Sequence, residues 1–242
     1  MTTIEGAGTT EDVWLPFLAA RGLPALALDP APARVVVLAP HPDDEVLGVG
    51  GLIALLAASG SRVEVVAVTD GEASHPGGSI RPDVLADLRS GETRRAVAAL
   101  GVTHPVRHLH LPDGGCAALT GPVVAALHLG PGDWLLAPWS GDGHPDHEAV
   151  GRAAEMVADR DGARLLAYPV WAWHWADPGT VALPWERALR VGLPAEVQAQ
   201  KALATASFVS QIEPIGPRQQ DLPVLPAHIL ARFSRPFEVV FG

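Results

Sequence analysis

Two short segments concentrate the side chains able to do chemistry. His41-Pro42-Asp43-Asp44-Glu45 packs one imidazole and three carboxylates together, and His144-Pro145-Asp146-His147 adds two imidazoles and a carboxylate much later in the chain. Zinc accepts imidazole nitrogen and carboxylate oxygen, and a catalytic site needs three protein ligands and an open position. His41 and one Asp can supply two ligands, and the second segment is the obvious donor of a third. Crowded carboxylates repel one another, so a cation among them is favourable. A spare carboxylate beside that cation can take a proton from water, whose pKa the metal lowers to about 7. A plainer role exists for each segment alone: an Asp after a strand caps the following helix, which would account for Asp43 or Asp146, and His-Pro can form a turn. Two such segments meeting on one edge of a fold are much harder to explain that way.

The elements between them say where they meet. Arg34–Ala39 is β-branched and continuously apolar, as expected of a strand covered on both faces. Further strands are expected at Arg62–Val68, Val106–Leu111, Asp133–Ala137 and Arg164–Tyr168, with helices at Asp44–Ala58, Pro82–Leu100, Val123–His128 and Asp146–Ala158. On the third-strand approach, Glu92 and Arg95 are expected on the polar side of the helix over Pro82–Leu100. This alternation predicts an α/β fold with a mostly parallel sheet and helices on both faces. The polar clusters at His41–Glu45, Thr69–Glu72, Pro112–Gly115, Trp139–His147 and Trp171–His174 each follow an expected strand. In an open α/β sheet those ends share one edge, where ligands bind. Beyond the fifth strand the pattern weakens. Trp171–Leu193 and Ser210–Pro226 read as loop, Pro194–Ser207 as helix and Phe237–Phe241 as a last edge strand.

Composition narrows the classes. A formal net charge of −10 argues against nucleic acid or an anionic membrane as partner. With Cys116 as the one cysteine, an intrachain disulfide and a Cys-based zinc cluster are excluded, and no neighbour activates it as a nucleophile. The stretch Met1–Glu11 lacks the pattern of a signal peptide, and no apolar run reaches membrane-spanning length. The expectation is a single domain over residues 1–242, soluble and cytoplasmic, with no indication of oligomeric state.

Ala39-Pro40-His41-Pro42-Asp43-Asp44-Glu45, followed by Gly48, Gly50 and Gly51, then Thr69-Asp70-Gly71-Glu72, Leu111-Pro112-Asp113-Gly114 and His144-Pro145-Asp146-His147, resembles the LmbE-like, or PIG-L, family of metal-dependent de-N-acetylases. The resemblance covers roughly residues 33–170, leaving 171–242 as a C-terminal elaboration; Pro40 departs from the small apolar residue usual at its position. It implies a Rossmann-like fold and one Zn2+ per chain held by His41, Asp44 and His147. By the same resemblance Asp43 is the general base. His144 polarises the carbonyl, stabilises the oxyanion or protonates the leaving amine, and Asp146 orients His144. The implied reaction removes an N-acetyl or other N-acyl group from a small amino sugar or glycoside.

Substrate contacts are expected from Asp70, Glu72, His75, Arg81, Trp173 and His174, with capping, an ordinary exposed loop and core packing as the plain alternatives for these positions. His108 and His110 share a strand face and are expected to be packed or capped rather than liganding. Other readings remain: a zinc hydrolase for a longer acyl chain, or a catalytically silent sugar- or nucleotide-binding module. The nucleotide reading leans on Gly48-Val49-Gly50-Gly51, whose spacing is wrong for a phosphate loop and which follows acidic residues.

Overall fold

The computed structural model describes residues 6–178 and 183–242, without the side chains of Cys116 and Ala117; what the sequence implies for residues 1–5, for 179–182 and for the Cys116 thiol lies outside the described residues. Seven strands form one sheet: β1 Arg34–Ala39, β2 Arg62–Thr69, β3 Arg107–Leu111, β4 Trp134–Pro138, β5 Arg164–Tyr168, β6 Ala188–Gly192 and β7 Phe237–Phe241. Their order is β3-β2-β1-β4-β5-β7-β6, with β1 to β5 parallel and β7 antiparallel to both neighbours. Around them lie α1 Glu11–Arg21, α2 Asp44–Ala58, α3 Pro82–Ala99, α4 Thr120–Ala126, α5 Pro145–Asp161, α6 Ala172–Trp175 and α7 Ala195–Thr205.

The central strands are apolar throughout because both faces are covered. Val35 and Val37 pack with Leu52, Ile53 and Val197 on one face, while Val36, Leu38, Leu135 and Ala137 pack with Val123, Val150 and Val157 on the other. The chain winds outward from β1 to β3, then returns to lay β4 against the other side of β1. That reversal opens a crevice at the carboxyl ends of β1 and β4, the ligand-binding position of doubly wound sheets. The β1–β4 pairing ends at Val37↔Leu136, short of the strand ends, and β4 finishes on Pro138, which has no N–H to continue it.

Helix α2 is broken. Val49 has φ −140° and ψ 22°, which interrupts the hydrogen-bond ladder. Two buried donors beyond the break are satisfied by one carboxylate: Glu238 accepts from the Gly51 and Leu52 amides at 2.7 and 2.8 Å. Lys201 on α7 donates to the Leu47 carbonyl at 2.9 Å and to Glu238 at 2.7 Å, so the buried charge is paired. Gly48 lies just before the break, where a Cβ would fall 2.2 Å from the Tyr168 ring. These contacts overturn the phosphate-loop reading of Gly48–Gly51, because a carboxylate from β7 already occupies the amides.

Several sequence expectations need correction in the C-terminal third. β7 is interior, between β5 and β6, and not an edge strand. Within Trp171–Leu193, the described part holds α6 and strand β6 rather than loop alone. Ala188-Leu189-Arg190-Val191-Gly192 buries every third residue at most and is short, so its period-two signal is weak. A short helix at Val209–Ile212 interrupts the expected loop after Ser210. Helix α1, not anticipated, buries Trp14, whose indole donates to the Trp173 carbonyl at 2.8 Å. Glu92 is fully buried rather than on a polar face, accepting from the Ser210 amide and hydroxyl at 2.9 and 2.7 Å. No helix among the described residues is long and apolar enough to cross a membrane.

Candidate metal centre and cleft

His41 follows β1, Asp44 opens α2, and His147 lies in the first turn of α5 after β4. The switch in strand order brings them together. His41 Nδ1 is 3.2 Å from Asp44 Oδ2, His147 Nε2 is 3.1 Å from the same oxygen, and the two nitrogens are 3.3 Å apart. Tetrahedral donors about 2.0–2.2 Å from an ion lie about 3.3–3.5 Å from one another, so this triangle fits a zinc-sized cation with little adjustment. His41, His144 and His147 also converge, as do His41, Asp113 and Asp146, their ligand atoms within 4.8 Å of one another. The triangle through Asp44 has all three sides at 3.1–3.3 Å.

Each imidazole is oriented from behind by carboxylates, the usual arrangement for histidine ligands. His147 Nδ1 lies 2.8 Å from Asp142 Oδ2, and His41 Nε2 lies 3.2 Å from Asp113 Oδ1 and 3.3 Å from Asp146 Oδ2. Those contacts place the ring protons on the outer nitrogens and turn the other two lone pairs inward. Asp142 is fully buried and also accepts from the Val170, Trp171 and Ala172 amides at 2.8, 2.9 and 3.0 Å. Asp113 is fixed by the Ala73 amide at 2.9 Å. Sequence patterns assign no role to Asp113 or Asp142, although both fall in the polar runs after strands. For Asp142 the signal is its place in the loop leading to the candidate ligand His147; Asp113 has no such signal, because its partner His41 lies far upstream.

The electrostatics are those of a cation site. Burial opposes charge on His147, but Asp44 and Asp142 outweigh it and push its pKa up to about 9. Burial likewise opposes charge on His41, and Asp113, Asp146 and Asp44 together hold its pKa well above the usual imidazole value. Against burial, the same two imidazoles hold Asp44 far below the carboxylate range. A field that retains protons on two imidazoles will also retain a divalent cation in their place.

Asp43 stands beside the triangle with φ +135°, an unusual conformation for a residue other than glycine. Such strain costs about 1–3 kcal/mol and persists only where the surroundings enforce it. Here the buried Arg89 enforces it, donating to Asp43 Oδ2 at 3.1 Å, the Pro42 carbonyl at 2.6 Å and the Gly71 carbonyl at 2.8 Å. A side chain at Gly71, whose φ is +68°, would run into the Arg89 guanidinium. Burial raises the Asp43 pKa to about 7 despite the Arg89 charge. Arg89 is another residue the sequence leaves without a role; its signal is the spacing Leu85, Arg89, Glu92, Ala96, which puts two charges on the buried stripe of α3.

His144 caps α5. Its Nδ1 accepts from the Asp146 amide at 3.3 Å, so the neutral ring carries its proton on Nε2. Burial and then the charges of His147 and His41 depress its pKa to about 3. Its ring centroid is 4.8 Å from those of both His41 and His147. The expectation that Asp146 orients His144 is redirected by this geometry: the Asp146 backbone reaches His144, while its carboxylate accepts from Gly114 at 2.8 Å and faces His41.

These groups line a cleft of about 360 Å³, with His41, Asp43, Asp44, Arg89, Asp113 and His144 on its floor. Leu47, Val170, Trp171, Val224 and Leu225 give it apolar lining, and Ser74 and Gln211 add polar lining. The expected substrate contacts fare unevenly. Glu72 lies behind the cleft, accepting from the Asp113 amide at 3.0 Å. His75 is buried and bonded to the Ser74 hydroxyl at 3.0 Å, off the lining. Arg81 is exposed and paired with Asp83 at the start of α3. Trp173 packs edge-on against Trp14 at 5.0 Å and under Arg235 at 4.2 Å, as core. His174 is buried against Gly8, and Asp70 faces His108 and His110. Of Trp171, Trp173 and Trp175 after β5, Trp171 lines the cleft.

A family model described as PIG-L, GlcNAc-PI de-N-acetylase, matches residues 36–158. The chain belongs to the PIG-L family. The matched stretch contains all three corners of the donor triangle together with Asp43 and His144. Among PIG-L relatives, a 1D-myo-inositol 2-acetamido-2-deoxy-alpha-D-glucopyranoside deacetylase from Kineococcus radiotolerans is 30% identical over 67% of this chain and 55% of its own length. A diacetylchitobiose deacetylase from Thermococcus kodakarensis is 32% identical over 49% of this chain and 46% of its own. The chain thus spans about half the length of these curated relatives. The solved N,N'-diacetylchitobiose deacetylase from Pyrococcus horikoshii shares the fold, with a TM-score of 0.57 at 20% identity over 84% of this chain and 80% of that one.

Proposed function

We propose that this PIG-L protein is a zinc-dependent amide hydrolase that removes an N-acetyl group from a small molecule containing an amino sugar. The observation that carries the reading is the donor triangle of His41, Asp44 and His147, 3.1–3.3 Å on each side, opening into the cleft beside the strained Asp43. These three residues would hold the ion. When bound, Zn2+ supplies Lewis acidity toward water and toward the amide carbonyl.

The chain's own residues account for the proton movements. Asp43, held by Arg89 and with a pKa raised to about 7 by burial, takes a proton from the attacking water. Burial keeps the His144 ring neutral, and its Nε2–H donates to the carbonyl oxygen as negative charge develops there. A donor so placed contributes about 2.7–4 kcal/mol to the barrier reduction. The proton on Asp43 then passes to the departing amine, restoring the carboxylate. The names of the relatives support N-acetylglucosamine-containing substrates. The apolar wall of Leu47, Val170, Trp171, Val224 and Leu225 also suits a longer acyl chain, and a series of acyl lengths on one sugar separates the two readings.

The test combines metal analysis with acetate release from a panel of small N-acetylglucosaminides. One ion bound in the triangle and acetate from at least one member is the expected result. Acetate released equally well after His41 and His147 are both replaced by Gln refutes the reading.

A further inference from the structure

A second group of metal-ligating side chains lies outside the cleft, on the outer strand of the sheet. Asp70 follows β2, and His108 and His110 project from β3. β3 carries one more residue than β2 between the rungs Ala67↔His108 and Thr69↔Leu111, and His110 takes up this bulge with φ +52°. The two imidazoles stack, their centroids 5.4 Å apart and their planes within 16°. His110 Nδ1 is 2.7 Å from Asp70 Oδ2, and His108 Nδ1 is 3.3 Å from Asp70 Oδ1. One ligand atom from each residue lies within 4.8 Å of the others.

The His110–Asp70 contact is an ordinary hydrogen bond. The His108–Asp70 contact is not. His108 Nδ1 and Asp70 Oδ1 face each other at 3.3 Å, both withdrawn from solvent, and neither has a hydrogen-bond partner. Buried polar atoms are nearly always satisfied, and an exception calls for a missing partner. A spacing of 3.3 Å is that of two donors around one ion about 2.0–2.1 Å from each. Two imidazoles and a carboxylate suit zinc and its neighbours in the first transition row, and not Mg2+ or Ca2+. The His110 side chain is mostly exposed, so an ion can reach the group from solvent.

We propose that Asp70, His108 and His110 form a second site for a divalent transition metal, which clamps the loop after β2 to the bulge of β3. The loops it joins support the cleft: Glu72 accepts from the Asp113 amide, the Ala73 amide donates to the Asp113 carboxylate, and Asp113 holds His41. The proposal is independent of what the cleft hydrolyses.

The test uses the full chain, stripped with a chelator and titrated with Zn2+ alone, against His110→Gln, whose exposed position preserves folding. Losing an outer partner of a metal costs ~10–100-fold in affinity, and losing a direct ligand costs more. His110→Gln is therefore expected to bind one fewer Zn2+ per chain than the unaltered protein, whatever number the cleft takes. Zn2+ should slow hydrogen exchange at the amides of residues 70–73 in the unaltered chain and not in His110→Gln. Equal uptake by the two proteins overturns the site, and exchange that ignores Zn2+ in both overturns the clamp.

Discussion

Asp142→Asn removes a charge while keeping the shape of the side chain, and its consequences can be worked through atom by atom. The native carboxylate accepts four hydrogen bonds, two on Oδ1 from Val170 and Ala172 and two on Oδ2 from His147 and Trp171. An amide can keep only one of those pairs. With its oxygen toward Val170 and Ala172, its NH2 group faces two donors. His147 can relieve the conflict by accepting at Nδ1, but its proton then moves to Nε2, the atom that faces Asp44 at 3.1 Å. The ligand lone pair is lost. Removal of such an outer partner costs ~10–100-fold in metal affinity, or about 1.4–2.7 kcal/mol at 1.36 kcal/mol per decade. The Trp171 amide, half-buried and left without its acceptor, costs about a further 1 kcal/mol of folding stability. Competition of the protein with a chromophoric chelator for Zn2+ reads the first quantity, and thermal melting of the metal-free protein reads the second. Unchanged zinc affinity in a folded Asp142→Asn protein would refute the assignment of His147 Nε2 as the ligand atom.

Other expectations follow from the same contacts. Asp43→Asn should lower turnover by ~10²–10⁴-fold, the range for a general acid–base group, with zinc content intact by metal analysis; loss of the ion would mean that ligand and base are exchanged. In the native protein kcat/KM should fall as pH drops through the Asp43 pKa, because the protonated form cannot accept a proton; a cation in the triangle favours the carboxylate, which puts this limb at or below about pH 7. Arg89→Gln removes the positive charge that favours ionised Asp43, so a pH–rate profile should show the limb displaced upward. Lys201→Met leaves Glu238 buried and uncompensated, which should cost about 3–5 kcal/mol in a denaturant melt. Gly48→Ala drives a methyl into the Tyr168 ring and should lower stability by about 1–3 kcal/mol.

The centre of the fold was legible because its signals are strong and local. Strands buried on both faces read as unbroken apolar runs, and parallel connections force their carboxyl ends to a common edge, so topology brought the two acidic-histidine segments together, while the choice of His41, Asp44 and His147 within them came from the family resemblance. The outer layer was not legible for a physical reason. Asp113 acts through His41 and Ala73, distant in sequence, and nothing in its neighbours distinguishes a buried acceptor from a loop carboxylate; Asp142 is marked only by lying five residues before His147, and the amides it also holds, at 170–172, are far along the chain. The Trp-rich stretch misled in a different way. Trp residues near a sheet edge can face ligand or core, and the choice rests on α1, whose Trp14 closes over Trp173. β6 and β7 escaped notice as a pair because their antiparallel contact joins segments separated by α7.

The break in α2 bears on what the C-terminal third is for. Asp44 rides on the short arm ahead of Val49, and that arm is splinted by Lys201 from α7 through the Leu47 carbonyl and by the Tyr168 ring beside Gly48, while Glu238 from β7, paired with Lys201, anchors the first amides beyond the break. All three lie outside residues 36–158. A fragment cut to those limits would retain every corner of the triangle and lose the brace that fixes one of them, so the segment beyond β5 is working scaffold, and variation there can retune the centre without touching a ligand.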